Sequence, residues 1–288
     1  MSTQISTAAV QQYKSNVIML AQQRGSRLRR TAREDGEMIG KQVFFDRIGS
    51  TTAVKNTVRH ADTPLQTTQH TRRMAPLVDY DWADLIDSQD RLRTLFDPNN
   101  PYARNGSWAI GRAYDDELIA AASGSAATGE TGSGSQALPS AQKIAAAATG
   151  LNLTKLISAR EILDAADVDP DRKRFAVVTA EQVSDLLAET EVTSSDYASV
   201  KALVSGQIDT FMGFEFIRTE RLAVDGSSDR LCLFYTEDAM GLQVPQDIMV
   251  DIGPRRDKRN ATQVYICASL ACVRIEDAQV VEVACVEA

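Results

Sequence analysis

Residues 51–73 of this chain, TTAVKNTVRHADTPLQTTQHTRR, are polar, rich in threonine and unable to build a core. Strand-like text flanks them, around Val43 to Ile48 and again around Met74 to Trp82. Thr and Val suit a pleated surface wetted on both faces, so the region reads as two long antiparallel strands. An isolated hairpin is marginal in water, and this ribbon therefore needs a partner surface. Its arginines and aromatics, Phe44, Phe45, Arg47, Arg59, Arg72 and Arg73, are types enriched at protein interfaces.

The preceding forty residues are no better equipped. A weak helical stripe runs through Ile5, Ala9, Tyr13, Val17 and Leu20, followed by the basic run Arg24, Arg27, Arg29, Arg30 and Arg33. So small an apolar face reads as an arm ordered by neighbours. Charge follows the same division. Residues 1–78 carry 12 Lys and Arg against 5 Asp and Glu, while residues 79–288 carry 19 against 34. A basic extension on an acidic body fits two partners: nucleic acid, or further copies of the chain joined arm to body. Asp79, Asp81, Asp84, Asp87 and Asp90 form an acidic ladder. It is either a solvated face or an electrostatic partner for the arm or ribbon of a neighbouring copy.

The body mixes helices and strands without strict alternation, which places the chain in the α+β class. Residues 83–97 read as a short amphipathic helix, and Asn105-Gly-Ser107 as the cap of a helix from Trp108 to about Ala122. The segment 123–136, SGSAATGETGSGSQ, is a flexible loop by composition. Thr154 is the expected N-cap of a helix carrying Leu156, Ile157, Leu163 and Ala166, which Asp169-Pro170 ends. The strand Phe175–Val178 follows, then a helix opened by the capping-box pair Thr179 and Gln182. Ser199 to Gly206 reads as helix, with strands around a Gly213 turn and another after Asp225-Gly226. From Ile248 onward the text is strand, with EDAQ as the turn before the last one.

Nothing in this text assembles a catalytic or metal site. Cys232, Cys267, Cys272 and Cys285 include no C-x-x-C pair and read as reduced core residues; His60 and His70 have no ligand spacing around them. Gly129 to Ser135 lacks the G-K-[ST] ending of a phosphate loop. Asp167, Asp169 and Asp171 begin like a calcium loop, but Arg172 stands at the sixth position and Val178 at the twelfth. No cofactor is expected. The longest apolar run, Val264 to Val273, is far short of a membrane span, and no signal peptide opens the chain.

The order of segments resembles the major capsid proteins of tailed bacteriophages, with the Hong Kong 97-like (Johnson) fold. The similarity lies in LNLTKLISAREILDAADVDPDRKRFAVVTAEQVSDLL at 151–187, which resembles that family's spine helix, charged turn, strand and next helix. It lies also in VSGQIDTFMGFEFIRTERL at 204–222 and in the C-terminal pair of strands. The resemblance implies an N-terminal arm at 1–40, an extended E-loop at 41–82, a peripheral domain at 83–180 and 248–288, and an axial domain at 181–247. It implies a structural protein that self-assembles into hexamers and pentamers of an icosahedral head enclosing double-stranded DNA. Such a chain would be made in the bacterial host cytoplasm and reside in the virion.

Its implied partners are itself, a portal, a scaffolding protein and a decoration protein, with packaged DNA contacted non-specifically and no membrane. Only some forty residues precede the E-loop, and the initial Met favours a separate scaffold. Lys55 lies in the loop, but nothing local identifies a cross-link acceptor. The expected inter-subunit contacts are Arg24, Arg27, Arg29, Arg30, Phe44, Phe45, Arg47, Arg59, Arg72, Arg73, Asp79, Asp81 and Asp84. Two rival readings remain: an enzyme with a carboxylate-lined pocket on the acidic ladder, and a nucleic-acid-binding protein acting through the arm.

Overall fold

The computed structural model describes residues 22–35, 37–55, 57, 59, 62, 63, 65–87, 99–188 and 210–287. The expected helix at 199–206, the stripe from Ile5 to Leu20, His60, Asp90 and most of 83–97 lie outside them. In chain order the elements are β1 (Glu37–Ile39), β2 (Gln42–Ile48), β3 (His70–Pro76), β4 (Val78–Ile86), α1 (Asn99–Ser123), β5 (Ala126–Thr128), β6 (Gly134–Gln136), β7 (Lys143–Ile144), α2 (Leu153–Ala165), β8 (Arg174–Val178), α3 (Ala180–Ala188), β9 (Thr210–Phe211), β10 (Phe214–Arg218), β11 (Asp229–Thr236), β12 (Met240–Arg255), β13 (Ala261–Arg274) and β14 (Val280–Val286). The α+β class is as expected.

The described residues fall into two compact units. One takes in 22–26, Asp79–Ala113 and Gln246–Ser269, and the other Arg27–Val78, Tyr114–Pro245 and Leu270 onward.

The first unit is built on the sheet β12-β13-β4. Alternate residues of β13, Val264, Ile266 and Ala268, are buried, whereas Tyr265, Cys267 and Ser269 are half-buried, the two-residue period of a sheet with one face covered. The residues of α1 in this unit supply the cover. A Cβ at Gly106 would collide with Trp82 and Ile266, so helix backbone and sheet side chains meet directly there. A Cβ at Gly111 would meet the backbone of Gly25 and Ser26 at 2.6 to 2.8 Å. That glycine lets the arm lie flat on the helix.

The second unit holds two sheets. The order β1-β2-β3-β5-β6 is antiparallel throughout, and Val43, Phe45, Ala75, Ala126, Ala271 and Val273 form its apolar core. The other sheet has the order β7-β14-β11-β8-β10-β9. All five residues of its inner strand β8 are buried, as a strand covered on both faces requires. β8 runs parallel to β10 and antiparallel to β11. Met212 and Gly213, both at positive φ, make the two-residue turn between β9 and β10, the backbone such hairpins need.

Several local expectations change. The ribbon pairs only from Gln42↔Pro76 to Ile48↔His70, and no strand is assigned among the described residues of 49–69. Those residues are almost all exposed, so nothing covers a longer ladder. Residues 83–86, expected to be helical, extend β4, whose outward and inward positions alternate. α1 begins at Asn99, so Asn105-Gly-Ser107 lies inside the helix, and the Ser107 hydroxyl donates to the Ala103 carbonyl. Part of the loop expected at 123–136 pairs as β5 and β6. The N-cap of α2 is Asn152, whose side chain accepts from the Lys155 amide at 2.8 Å, and not Thr154. Among the described residues the longest helix is α1 at 25 residues, whereas α2, within the segment that resembles a spine helix, has 13. The two C-terminal strands separate: β13 pairs with β12 and β4, while β14 pairs with β11 and β7. The six-stranded sheet thus gathers strands from both sides of the boundaries expected near 180 and 247.

Candidate subunit-contact surfaces

The arm's arginines are held along the chain at separate anchors. Arg24 lies over the Trp108 ring, 5.5 Å from its centroid, and Arg112 donates to the Gln22 side chain and the Gln23 carbonyl. In the other unit the buried Asp115 carboxylate accepts the amides of Arg27 and Leu28 at 3.0 to 3.1 Å. Leu28 is buried, and the Thr31 hydroxyl bonds the Tyr235 hydroxyl at 2.7 Å. Arg27 donates to the Arg218 carbonyl, Arg29 pairs with Glu34 and Arg30 with Glu215 at 2.7 Å. Backbone bonds from Arg33 to Met240 and from Leu242 to Arg33 close the segment onto β12. Arg27 and Arg30 remain exposed, Arg29 half-buried.

At the ribbon's root the expected residues divide. Phe45 and Arg73 are buried within the chain, 4% and 2% exposed; Phe45 packs in the apolar core, and Arg73 meets the outside only where it lines the groove beside the root. Phe44 is buried beneath Arg72, whose guanidinium lies 5.0 Å from the ring centroid and pairs with Asp46 at 2.9 Å. That pairing holds the Asp46 carboxyl below its usual range. Arg47 is half-buried and Arg59 exposed. Ile48, Val54 and Leu65 are 70%, 55% and 95% exposed, an apolar content the ribbon leaves uncovered.

A groove of about 660 Å³ opens beside this root, lined by β2, β3, the β5–β6 turn and Asp277. Beneath it three guanidinium groups share few acceptors. Arg73 and Arg274 each take one oxygen of Asp277, at 2.7 and 2.6 Å. Arg47 and Arg73 both donate to the Ile275 carbonyl, at 2.7 and 3.2 Å. Arg274 is fully buried and also reaches the carbonyls of Ala122, Gly124 and Gln136. Burial, together with the charges of Arg47 and Arg274, lowers the Arg73 pKa against the pull of Asp277.

Among the described residues the acidic ladder, Asp79, Asp81, Asp84 and Asp87, does not converge on one point. Asp79 accepts from the Ser269 hydroxyl and Asp81 from the Tyr265 hydroxyl, both at 2.5 Å, on the uncovered face of the sheet. The bond to Asp81 keeps the Tyr265 phenol protonated beyond its usual range. Asp84, on the opposite face by alternation, accepts from the neighbouring Leu85 amide, and Asp87 is exposed. Asp169 takes the Asp171 amide in a turn, and among the described residues no three His, Cys, Asp or Glu side chains gather as metal ligands.

Sequence reasoning missed three residues that organise these surfaces. Asp115 falls on the buried stripe of α1, with Tyr114, Leu118 and Ala122, where an acidic residue was itself a signal. Asp277 sits in the EDAQ turn and left no such signal. Lys155 is 6% exposed, although its place on α2 was read only as part of a helix.

The chain matches the phage capsid protein family over residues 5–287. No curated protein matches its sequence. Among solved structures, the capsid of cyanophage P-SCSP1u superposes with a TM-score of 0.75 at 13% identity, covering 98% of this chain and 94% of that one. The capsid of Ralstonia phage GP4 gives 0.74 at 10% identity, covering 97% and 96%. The capsid of cyanophage Pam1 gives 0.70 at 13% identity, covering 97% of each. Anchored arm, short-rooted ribbon and uncovered sheet face thus occur on a Hong Kong 97-like fold, and the chain belongs to the phage capsid protein family as a major capsid protein, a structural component of the virion shell and not an enzyme.

Proposed function

We propose that this subunit forms the hexamers and pentamers of an icosahedral head that encloses double-stranded DNA. The observation that carries the reading is the ribbon at 42–76, rooted in the chain's own core yet exposing Ile48, Val54 and Leu65 beyond it. A subunit with such an extension buries it only on a neighbour, so assembly completes the fold. In this reading the arm (1–40) and E-loop (41–82) reach onto adjacent copies. The peripheral region (83–180 and 248–288) and the axial region (181–247) build the capsomer, with axial regions at its centre. Exposed Arg27, Arg30 and Arg59, with half-buried Arg47, meet acidic surface on those copies, with the uncovered sheet face bearing Asp79 and Asp81 as the complementary surface. Synthesis takes place in the host cytoplasm. A portal, a scaffolding protein and a decoration protein complete the partner set, and packaged DNA is contacted without sequence preference. Purified protein, with scaffold where required, should yield shells or capsomers by electron microscopy. A monomer that persists under every condition would overturn the reading.

A further inference from the structure

We propose that the groove at the ribbon's root is a carboxylate-binding socket, filled in the assembled shell by an acidic side chain of a second copy of this chain. The inference rests on the assembly reading above and deepens it by naming a contact. Two guanidinium groups, Arg73 and Arg274, share the single carboxylate of Asp277, and Arg47 joins Arg73 on the Ile275 carbonyl beside it. Arg73 is 98% buried and lines the groove, yet its Nη1 has no hydrogen-bond partner. A buried guanidinium with an unmade bond is costly, and a carboxylate is the acceptor its planar fork fits best.

The other charges on the walls decide which anion fits. Asp46 is paired with Arg72, and Glu130 is exposed on the β5–β6 turn. With Asp277 these carboxylates would repel the repeated charges of a phosphate backbone, whereas a single incoming carboxylate needs only the Arg47 and Arg73 donors. Carboxylates are what further copies bring: residues 79–288 carry 34 Asp and Glu against 19 Lys and Arg. Polar walls fit an inserted polar side chain. The ribbon's uncovered residues begin immediately beyond, at Ile48 and Gly49, so the socket is continuous with surface that assembly must cover.

The test compares shell yield of the full chain with that of Arg47→Glu and Arg47→Lys. Arg47 is half-buried at the groove rather than in the apolar core, so its substitution leaves the fold in place; thermal melting of the unassembled subunit checks this. Arg47→Glu is expected to cut shell yield by about tenfold or more at equal protein concentration, and Arg47→Lys to restore most of it. Wild-type shells should place a neighbour's Asp or Glu oxygen within about 3 Å of Arg73 Nη1 by electron cryomicroscopy. Full assembly of Arg47→Glu overturns the socket and leaves the capsid reading intact, whereas failure of wild type to assemble overturns both. A DNA phosphate, a free anion or no density beside Arg73 in the shell also overturns it. Inorganic phosphate added to unassembled subunits supplies the remaining control: a melting temperature it raises as much in Arg47→Glu as in wild type shows that any anion stabilisation lies elsewhere.

Discussion

The Lys155 ammonium lies within 2.8 to 3.0 Å of four carbonyl oxygens, those of Ala146, Thr149, Gly150 and Ala284, one more than its three protons can serve at once. It ties the loop before α2 to the last strand. Lys155→Met keeps most of the apolar stem and leaves those carbonyls without their charged donor. It should cost about 3 kcal/mol, read as a lower melting temperature and faster amide exchange around 146–150. Glu287 supplies a pH-dependent counterpart. Arg230 grips both its oxygens at 2.8 and 2.6 Å, and Gln182 and Thr179 donate as well, holding its pKa at about 2. A carboxyl whose folded pKa is depressed stabilises fully above its unfolded value, about 4.3, and loses that contribution as pH falls through the folded one. Glu287→Gln should therefore lower the melting temperature at pH 7 and leave it nearly unchanged at pH 2, the two curves converging between about pH 5 and 2. Thr179 and Gln182 were readable as a capping pair because their spacing is local, and the Gln182 side chain does accept the Thr179 amide at 3.1 Å. Their service to Glu287, more than a hundred residues away, left no trace in either segment.

Among the elements, α1 depends most on what it lies against. Its 25 residues include two glycines whose absent side chains set the distance to neighbouring backbone and rings. Gly106→Ala should destabilise the subunit by about 1 to 3 kcal/mol, because Trp82 and Ile266 already occupy the space a methyl would take. Guanidinium denaturation measures the change. An undiminished transition midpoint would show that the sheet side chains can give way. The sequence placed the C-terminal half of this helix correctly, since Ile110, Tyr114, Leu118 and Ala122 recur at helical spacing and are all buried. It missed the first turns, where Asn, Gly and Pro mark a loop by propensity and tertiary contact overrides it. β4 reversed in the same way: Leu85 and Ile86 read as the start of a helix until pairing beside β13 fixed a two-residue period.

At the scale of the molecule, the ribbon is the part that should be separable. Replacing residues 50–68 with a short Gly-Ser turn removes no residue of the core around Val43, Phe45 and Ala75, so the subunit's melting temperature should stay within about 2 °C. Shell formation, followed by sedimentation, should be lost; shells of normal yield would show that the E-loop is dispensable. By itself the sequence determined that residues 1–82 lack the apolar content for a core of their own, that charge divides near residue 78, and that no catalytic or metal constellation is spaced along the chain. Those properties depend on composition and short spacing, which survive without coordinates. Only the tertiary structure decided that Phe45 and Arg73 turn inward, that the two C-terminal strands part between sheets, and that Arg73 and Arg274 share one carboxylate. These depend on partners roughly two hundred residues apart, and a linear pattern holds no record of which side chain will meet which once the sheets close.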